Sequence, residues 1–511
     1  MKTEFFDYVT SINYTCGYYQ ELNPQRIKLA FINKGIAFPD VGVACELGFG
    51  QGISTNFHAA ASIVQWYGTD FNASQVNFAQ TIADAAQNNA KLYNDAFIDF
   101  AQRTDLPEFD YICLHGIWSW ISEENRTVIV DFIKRKLKVG GILYLSYNCL
   151  PGWAAFMPIR HLMKEHVESM GSGQQGLVKN IKNAVAFAES LVEKKSAFIQ
   201  LNPSLKEWIK KLNSQNAFYL AHEYFNTNWQ PMHFSSVARL LREAQLNYVC
   251  SASYLDDIDA AHLTAEQQTF LNEMTDPIFR EDTRDFMVNR VFRRDYWVKG
   301  AQSLTPLEQM TTFMAQRVIL IKPRAMVPMT VTGILGESQL NESIYNQTLD
   351  VLEQHTLVSV EVLSQSLAKQ GLSFKQMIQI LMILVGNGSV ALAQTDEHIA
   401  RTISKTNLMN KKMRELAVYR DDVSFLVSPV IGEGVYVSRF QQLFLTCIAQ
   451  GIQHPDKWAE FVWKQLSTQG HKLVTEGKTL QTAEENMSEL INMAESFAHH
   501  QLPILKALKI A

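Results

Sequence analysis

Long apolar runs are missing from this 511-residue chain. None reaches the roughly 18 to 20 residues that a membrane helix requires, so no membrane span is expected. The first residues, Met1 to Tyr14, have no unbroken apolar core, which argues against a secretory signal. Cysteines are few and scattered. Cys16, Cys45, Cys113, Cys149, Cys250 and Cys447 form no metal-spaced pair, and most fall in apolar stretches. Buried free thiols in a reducing cytoplasm are the simple reading, and no metal site is expected. An excess of basic charge is absent too. The formal net charge of −5 argues against a general nucleic-acid binder. There is no internal repeat and no low-complexity linker. A hydrophobic content of 47% is ample for burial. The length exceeds what one core serves, so about two to four domains are expected.

What is present starts with a glycine loop. Ala44 to Gly52 follows a short apolar run and precedes a helix-like stretch, Ile53 to Ala61. Glycines let the backbone turn tightly and approach a ligand. The helix that follows points free N–H groups at an anion. Two cofactors compete for such a loop. A dinucleotide fingerprint wants a small residue at position 53, which is Ile here. Glu46, an acid in the strand itself, suits a cofactor with an ammonium group. The pattern E-x-G-x-G-x-G over Glu46 to Gly52 therefore favours S-adenosylmethionine (SAM) over NAD.

Downstream segments repeat the strand-then-helix pattern. Strands are expected at Ser62 to Thr69, Ala90 to Asn94, Phe109 to His115 and Gly141 to Asn148, after the first at Val41 to Ala44. Helices Ala73 to Asn88 and Glu123 to Lys138 separate them. This alternation predicts a parallel, doubly wound Rossmann-like sheet with its ligand at the carboxyl ends of the strands. Gly48, Asp70, Asp95 and His115 all sit at such ends. Asp70, about 20 residues past the loop, is placed to take both ribose hydroxyls. Asp95 and Ala96 are placed for the adenine amino group. Gly50, Gly52, Phe71 and Gly116 complete the expected cofactor-binding set, and His115 belongs to it as well.

After Asn148 a turn signal, Cys149 to Trp153, leads into helical candidates at Ala154 to Ser169, Gln174 to Phe198 and Pro203 to Asn213, broken at Gly171 to Gly173. Strand character returns at Asn247 to Leu255 and Arg290 to Lys299, after a helix from Phe234 to Leu246 with Ser caps. These segments read as a closing helix and an antiparallel hairpin of strands six and seven. The expected organisation is a SAM-binding core over 1–153, a helical insertion over 154–220 serving as lid or dimer contact, and closing elements over 221–300. A winged-helix-like domain over 301–395 and a mainly helical domain over 396–511 follow. The winged-helix outline consists of helices at Ser343 to His355, Ser359 to Gln370 and Phe374 to Asn387, then a strand at Ser389 to Ala393. Its third helix carries only Lys375 among apolar residues, so it reads as a packing module and not as a DNA reader.

The segments Glu46 to Gly52, Phe109 to Ile121, Gly140 to Trp153, Tyr219 to Asn226 and Asp285 to Gly300, with Tyr14, Tyr19, Pro24 and Arg26, carry a resemblance. The chain resembles bacterial class I methyltransferases with a methyltransferase regulatory domain, the group that includes the rickettsial protein lysine methyltransferases. The resemblance implies SAM as cofactor and a protein lysine as acceptor. Position 118 is Trp, where the family allows Tyr.

Methyl transfer from SAM is an in-line displacement, so the protein mainly positions the acceptor and excludes water. A lysine acceptor must first lose a proton, which costs about 4 to 5 kcal/mol at neutral pH. An apolar aromatic channel lowers that cost by desolvation. Candidate channel residues are Tyr14, Tyr18, Tyr19, Trp118, Trp120, Tyr147 and Trp153. Asn148 is placed to accept a hydrogen bond from the acceptor amine. His115 is a contact or a base. These give Tyr147, Asn148, Trp118 and His115 as the expected catalytic set. His222 and Glu223 read as substrate contacts or as structural caps, and Arg293 and Arg294 as partners of acids near strand seven. Two other readings stay open, a small-molecule or glycan O- or N-methyltransferase and a SAM-binding regulatory or scaffold protein. A homodimer is compatible with the helical insertion.

Overall fold

The computed structural model describes residues 16–171, 176–215, 217–369, 371–475 and 477–511. Tyr14, Gly173 and Gln174 lie outside the described residues. A seven-stranded sheet is the frame of the first 300 residues. Its strands are β1 (Val43–Leu47), β2 (Gln65–Thr69), β3 (Lys91–Tyr93), β4 (Phe109–Leu114), β5 (Leu137–Asn148), β6 (Leu246–Ser251) and β7 (Phe292–Lys299). Their spatial order is β3-β2-β1-β4-β5-β7-β6. The first five pair in parallel, and β7 runs antiparallel to both β5 and β6. The five expected parallel strands are therefore present, and their order reverses beside β1. Helices α1 (Pro24–Asn33), α2 (Ile53–Ala61), α3 (Ala73–Ala86), α4 (Phe97–Gln102) and α5 (Glu123–Lys136) occupy the intervals. Their ends follow local chemistry. Asn72 caps α3 by accepting from Ser74 N–H. Ser122 caps α5, which begins with Glu123 and Glu124 and ends with Lys134, Arg135 and Lys136, matching the helix dipole.

Two expectations about the closing elements change. Strands β6 and β7 are neighbours, but no tight turn joins them. Helices Asp259–His262, Ala265–Asn272 and Pro277–Met287 intervene. The helix before β6 ends at Arg242, and its start is held by Asp282, whose carboxylate accepts from Ser235 N–H at 2.9 Å, not by a serine cap.

Both faces of the sheet are covered. Alternation along β5 sends Ile142 and Tyr144 to one face, with Trp66, Tyr111 and Tyr296. It sends Leu143, Leu145 and Tyr147 to the other, with Ile112, Leu114, Trp118 and Trp297. Residues 154–213 lie outside the sheet where described. Their helices Met157–Met170, Leu177–Glu193, Ala197–Leu201 and Ser204–Asn213 share a separate core with Trp153, Tyr224 and Phe225.

Beyond Gly300, helices Glu342–Leu352, Val360–Ala368 and Phe374–Gly386 pack with a three-stranded sheet formed by Arg317–Leu320, Val358–Ser359 and Val390–Leu392. The helix Phe374–Gly386 is apolar because it is buried, with Met377, Leu381 and Leu384 in a cluster continuous with Phe31 and Tyr254. Helix Asp396–Ala417 and the hairpin Phe425–Ser428 with Glu433–Tyr436 pack on α2, sharing a core with Phe57 and Ala60. The C-terminal part thus backs the helix that starts at the glycine loop. Among the described residues, no helix is long and apolar enough to cross a membrane.

Candidate functional site

The glycine loop lies where β1 ends. Gly48 N–H donates to the Thr69 carbonyl at 2.8 Å, which ties the loop to the end of β2. Gly52 holds a positive φ of 67°, and a Cβ there would stand 2.7 Å from Ala79 Cβ. A side chain at Gly52 would therefore both strain the turn and push α3 away. Gly50 N–H donates to Asp70 Oδ2, and Asn72 N–H donates to Asp70 Oδ1, each at 2.9 Å. These two bonds fix the carboxylate at the mouth of the cleft. Glu46, only 3% exposed, is bonded by the Thr55 hydroxyl.

Glu46 and Asp70 are short of compensation. Burial raises the Glu46 carboxyl to about 7, and the charge of Asp70 adds to the rise while Thr55 opposes it. Burial likewise lifts Asp70 to about 6 against its two backbone bonds. A cavity of about 370 Å³ opens in front of them. Its lining includes Tyr19, Glu46, Gly48, Gly50, Gly52, Asp70, His115, Gly116, Trp120, Asn148 and Trp153, and no Lys or Arg among the described residues. A second cavity of about 300 Å³ is lined by Asp70, Phe71, Asp95, Ala96, Phe97, Ser122 and Asn228. Gly48, Asp70, Gly116, Ile117 and Trp120 wall both, so the two form one cleft along the carboxyl ends of the strands. All the expected cofactor residues line this cleft. Asp95 is already engaged, since Arg103 Nη1 donates to its Oδ2 at 3.1 Å.

His115 closes one wall. Its ring stacks on Tyr19, with centroids 3.5 Å apart, and its Nδ1 lies 2.7 Å from the Tyr144 hydroxyl. Burial, with the nearby Arg294, lowers its pKa to about 3. At neutral pH it is an uncharged hydrogen-bonding group and a weak base. Gly116 N–H donates to Ser146 Oγ at 2.8 Å, which carries the His115–Gly116 turn onto β5. Asn148 pairs with Phe292 across β5 and β7, and its side-chain Nδ2 is buried with no partner among the described residues. Trp120 Nε1 is likewise buried with no partner among the described residues. Trp153 lines the cavity while its Nε1 donates to the Val291 carbonyl at 2.9 Å.

Three of the expected channel residues are elsewhere. Tyr147 is fully buried on the opposite face and donates to Asp295 Oδ2 at 2.9 Å. Trp118 is fully buried in that same layer. Neither lines the cleft, so both leave the catalytic set. The reason for Tyr147 is strand alternation, because adjacent residues Tyr147 and Asn148 cannot face the same side. Tyr18 packs instead between Phe57 and Phe425, at 5.5 and 5.3 Å, against the C-terminal hairpin. Arg293 pairs with Asp295, Asp285 and Glu281, and Arg294 with Glu21.

The far wall comes from helix Ala217–Tyr224 and its continuation, which contribute Tyr219, His222, Glu223, Tyr224 and Asn226. His222 and Glu223 are thus cavity residues. Gln51, Gln75, Ile117 and Phe292 also line the cavity without having been expected. Gln51, Ile117 and Phe292 fall inside the segments that carry the resemblance, whereas nothing local marks Gln75.

Residues 216–299 match the family model described as "Predicted methyltransferase regulatory domain", the stretch that supplies the far wall, β6 and β7. Uncharacterized protein sll1526 of Synechocystis is 39% identical over 509 residues, covering 99% of each chain. Uncharacterized protein RP789 of Rickettsia prowazekii is 26% identical over 284 residues, 54% of this chain and 49% of that one. Among solved structures, PKMT2 from Rickettsia typhi in complex with AdoHcy superposes with a TM-score of 0.70 at 17% identity, covering 98% of this chain and all of that one. Its likeness to sll1526 over both full lengths makes the chain a member of the same family, and its residues 216–299 match the methyltransferase regulatory domain.

Proposed function

We propose that the chain is a SAM-dependent methyltransferase that N-methylates a lysine side chain of a protein. The observation that carries this reading is the pair Glu46 and Asp70, two buried acids raised in pKa in a cleft lined by no Lys or Arg among the described residues. Such a pair calls for a cationic ligand. When bound, SAM supplies an activated methyl group on a sulfonium, with an ammonium and a ribose diol as handles. Glu46 and the Gly48–Gly50 backbone would hold the amino-acid end, and Asp70 the ribose hydroxyls. Phe71, Asp95 and Ala96 would enclose the base in the smaller cavity. That PKMT2, alike across its whole length, was solved with AdoHcy supports the same assignment.

The remaining walls are those an amine needs. Tyr19, Trp120, Trp153, Tyr219 and Tyr224 surround the larger cavity. Aromatic walls desolvate an ammonium, which favours loss of its proton, and their faces hold it by cation–π contact. Asn148 is at the end of β5 with its amide group buried and incompletely bonded. Rotation of that amide presents either a donor or an acceptor, so it can orient a neutral amine. His115, neutral and clamped between Tyr19 and Tyr144, keeps this wall in place and is a poor proton acceptor.

The test is transfer of label from radiolabelled SAM to a cell lysate by the purified chain, resolved by gel. A labelled protein band that is lost with Asn148→Ala supports the proposal. Label confined to small molecules supports the small-molecule reading instead. Binding of SAM with no transfer at all would make the chain a SAM-binding regulator.

A further inference from the structure

The wall that carries Tyr19 has no helix or strand of its own. Cys16 to Tyr19 is irregular and leads into the short turn Gln20–Leu22. Gly17 and Tyr19 line the larger cavity, while Tyr18 between them packs on the C-terminal hairpin. Tyr19 ties together two elements that meet at the cleft. Its N–H donates to Ser54 Oγ on α2 at 2.9 Å, and its ring stacks on His115 after β4. What grips this segment comes from the far end of the chain. The Tyr18 ring is 5.5 Å from Phe57 and 5.3 Å from Phe425, between centroids. Gly434, on the other strand of that hairpin, closes the grip. A Cβ there would stand 2.9 Å from Phe57 Cδ2 and 3.0 Å from Tyr18 Cδ1, so the strand reaches both rings only because position 434 has no side chain. Arg420 Nη2 donates to Cys16 Sγ at 3.2 Å, and Asn23 Nδ2 donates to the Ile431 carbonyl at 3.4 Å. Residues 420–434 thus hold the segment at three points, and none of them lines either cavity.

We propose that the C-terminal hairpin sets the cofactor cleft from outside it, with Tyr18 as the positioning residue that seats Tyr19 against His115 and α2. This rests on the cofactor reading above. A segment without backbone pairing of its own is costly to order. Held in advance by the hairpin, it presents a finished wall to SAM, and binding does not have to order it. Loosening the hairpin lowers the fraction of chains with the wall in place, and affinity falls by that fraction.

The test titrates S-adenosylhomocysteine (SAH) into the full chain by calorimetry, well below the melting temperature of each variant. Gly434→Ala pushes on Tyr18 and should weaken SAH by about tenfold, as for a wall seated about a tenth of the time. Phe425→Leu, a milder change at the same contact, should weaken it by about threefold. Tyr18→Phe keeps the ring and should stay within about twofold of the wild type. The route through Tyr19 is tested by a cycle. Tyr19→Ala weakens SAH by itself, and adding Gly434→Ala to it should cost no more than about twofold further. Cys16 reports on the segment directly. Burial and Asp422 hold its thiol up to about 12, so it is labelled slowly. Gly434→Ala should speed labelling of the Cys16 peptide, read by mass spectrometry. Wild-type SAH affinity in both hairpin variants, a full additive loss in the Tyr19→Ala background, or Cys16 labelling no faster than in the wild type overturns the inference. Failure of the wild type to bind SAH instead overturns the cofactor reading, and this inference with it.

Discussion

Two buried acid clusters flank the end of β5, and they differ in what neutralises them. Around β7, Glu281, Asp285 and Asp295 converge on Arg293, which donates to Asp285 and Asp295 through paired bonds of 2.9 to 3.1 Å and to Glu281 at 3.0 Å. Phe234 lies under its guanidinium at 4.2 Å, and Tyr248 and Tyr147 add hydroxyls. Every acid there has a cation supplied by the chain. At β1 and β2, Glu46 and Asp70 have hydrogen bonds but no such cation among the described residues of the lining. The first cluster is complete and structural. The second has no countercharge among the described residues, and under the proposed function a cationic ligand supplies it. Burial of charge alone therefore does not mark a site; burial without a countercharge from the chain does.

Removing the central cation should turn the complete cluster into a defective one. Arg293→Met leaves three acids facing one another and should cost about 3 to 5 kcal/mol of stability. Thermal unfolding should show a large fall or loss of folded protein, and an unchanged melting temperature would deny the cluster its structural role. The converse change, Asp70→Asn, relieves the incomplete pair. The ligand-free chain should melt no lower, while SAH affinity falls by about 2 to 4 kcal/mol as charge-assisted bonds to the ribose are lost. Unchanged affinity by calorimetry would refute the ribose assignment.

Acidity separates the clusters further. The folded pKa values of Glu46 and Asp70, about 7 and about 6, stand above their ordinary values. Their protonated forms are therefore favoured by folding. The stability they contribute is full below about pH 4 and is lost as pH rises through 6 to 7. A cationic ligand prefers the ionised pair, so SAM affinity should rise by about tenfold between roughly pH 5.5 and 8. Binding should release protons, visible as a buffer-dependent heat, and Glu46→Gln should flatten the profile. A pH-independent affinity would show that the pair does not meet the charge of the ligand. The smallest expected effect is Tyr147→Phe, which removes one bond to an acid already held twice by Arg293. It should lower stability by about 1 kcal/mol and leave SAH affinity and turnover alone. A selective loss of turnover would return Tyr147 to the acceptor site.

The half of the cleft proposed for the cofactor was readable as a cleft because it is local. Glu46 to Gly52 is one continuous turn, and Asp70 and Asp95 each end a strand, where a parallel sheet puts its ligand. The acceptor half was read less well. Asn148 and Trp153 line the cleft as expected, but Tyr147 and Trp118 do not. The alternation rule excluded one of the neighbours Tyr147 and Asn148 in advance. Tyr18 could not be placed from its own surroundings, since its partners Phe57 and Phe425 come from α2 and from a hairpin some 400 residues on.

Periodicity and turn chemistry by themselves determined the strand and helix succession, the parallel sheet, the loop after β1 and the helical character of the described residues within 154–213. These depend on neighbours a few positions apart, and a linear pattern records them. Only the tertiary structure decided which distant walls close the cleft. Helix Ala217–Tyr224 reaches the cleft because its neighbours form a separate core on Trp153, and β7 brings Phe292 beside Asn148. It also decided that Arg293 belongs to a closed ion cluster while Glu223 faces a cavity. Both are charged residues in apolar sequence, and what separates them is the set of distant groups that folding sets against each.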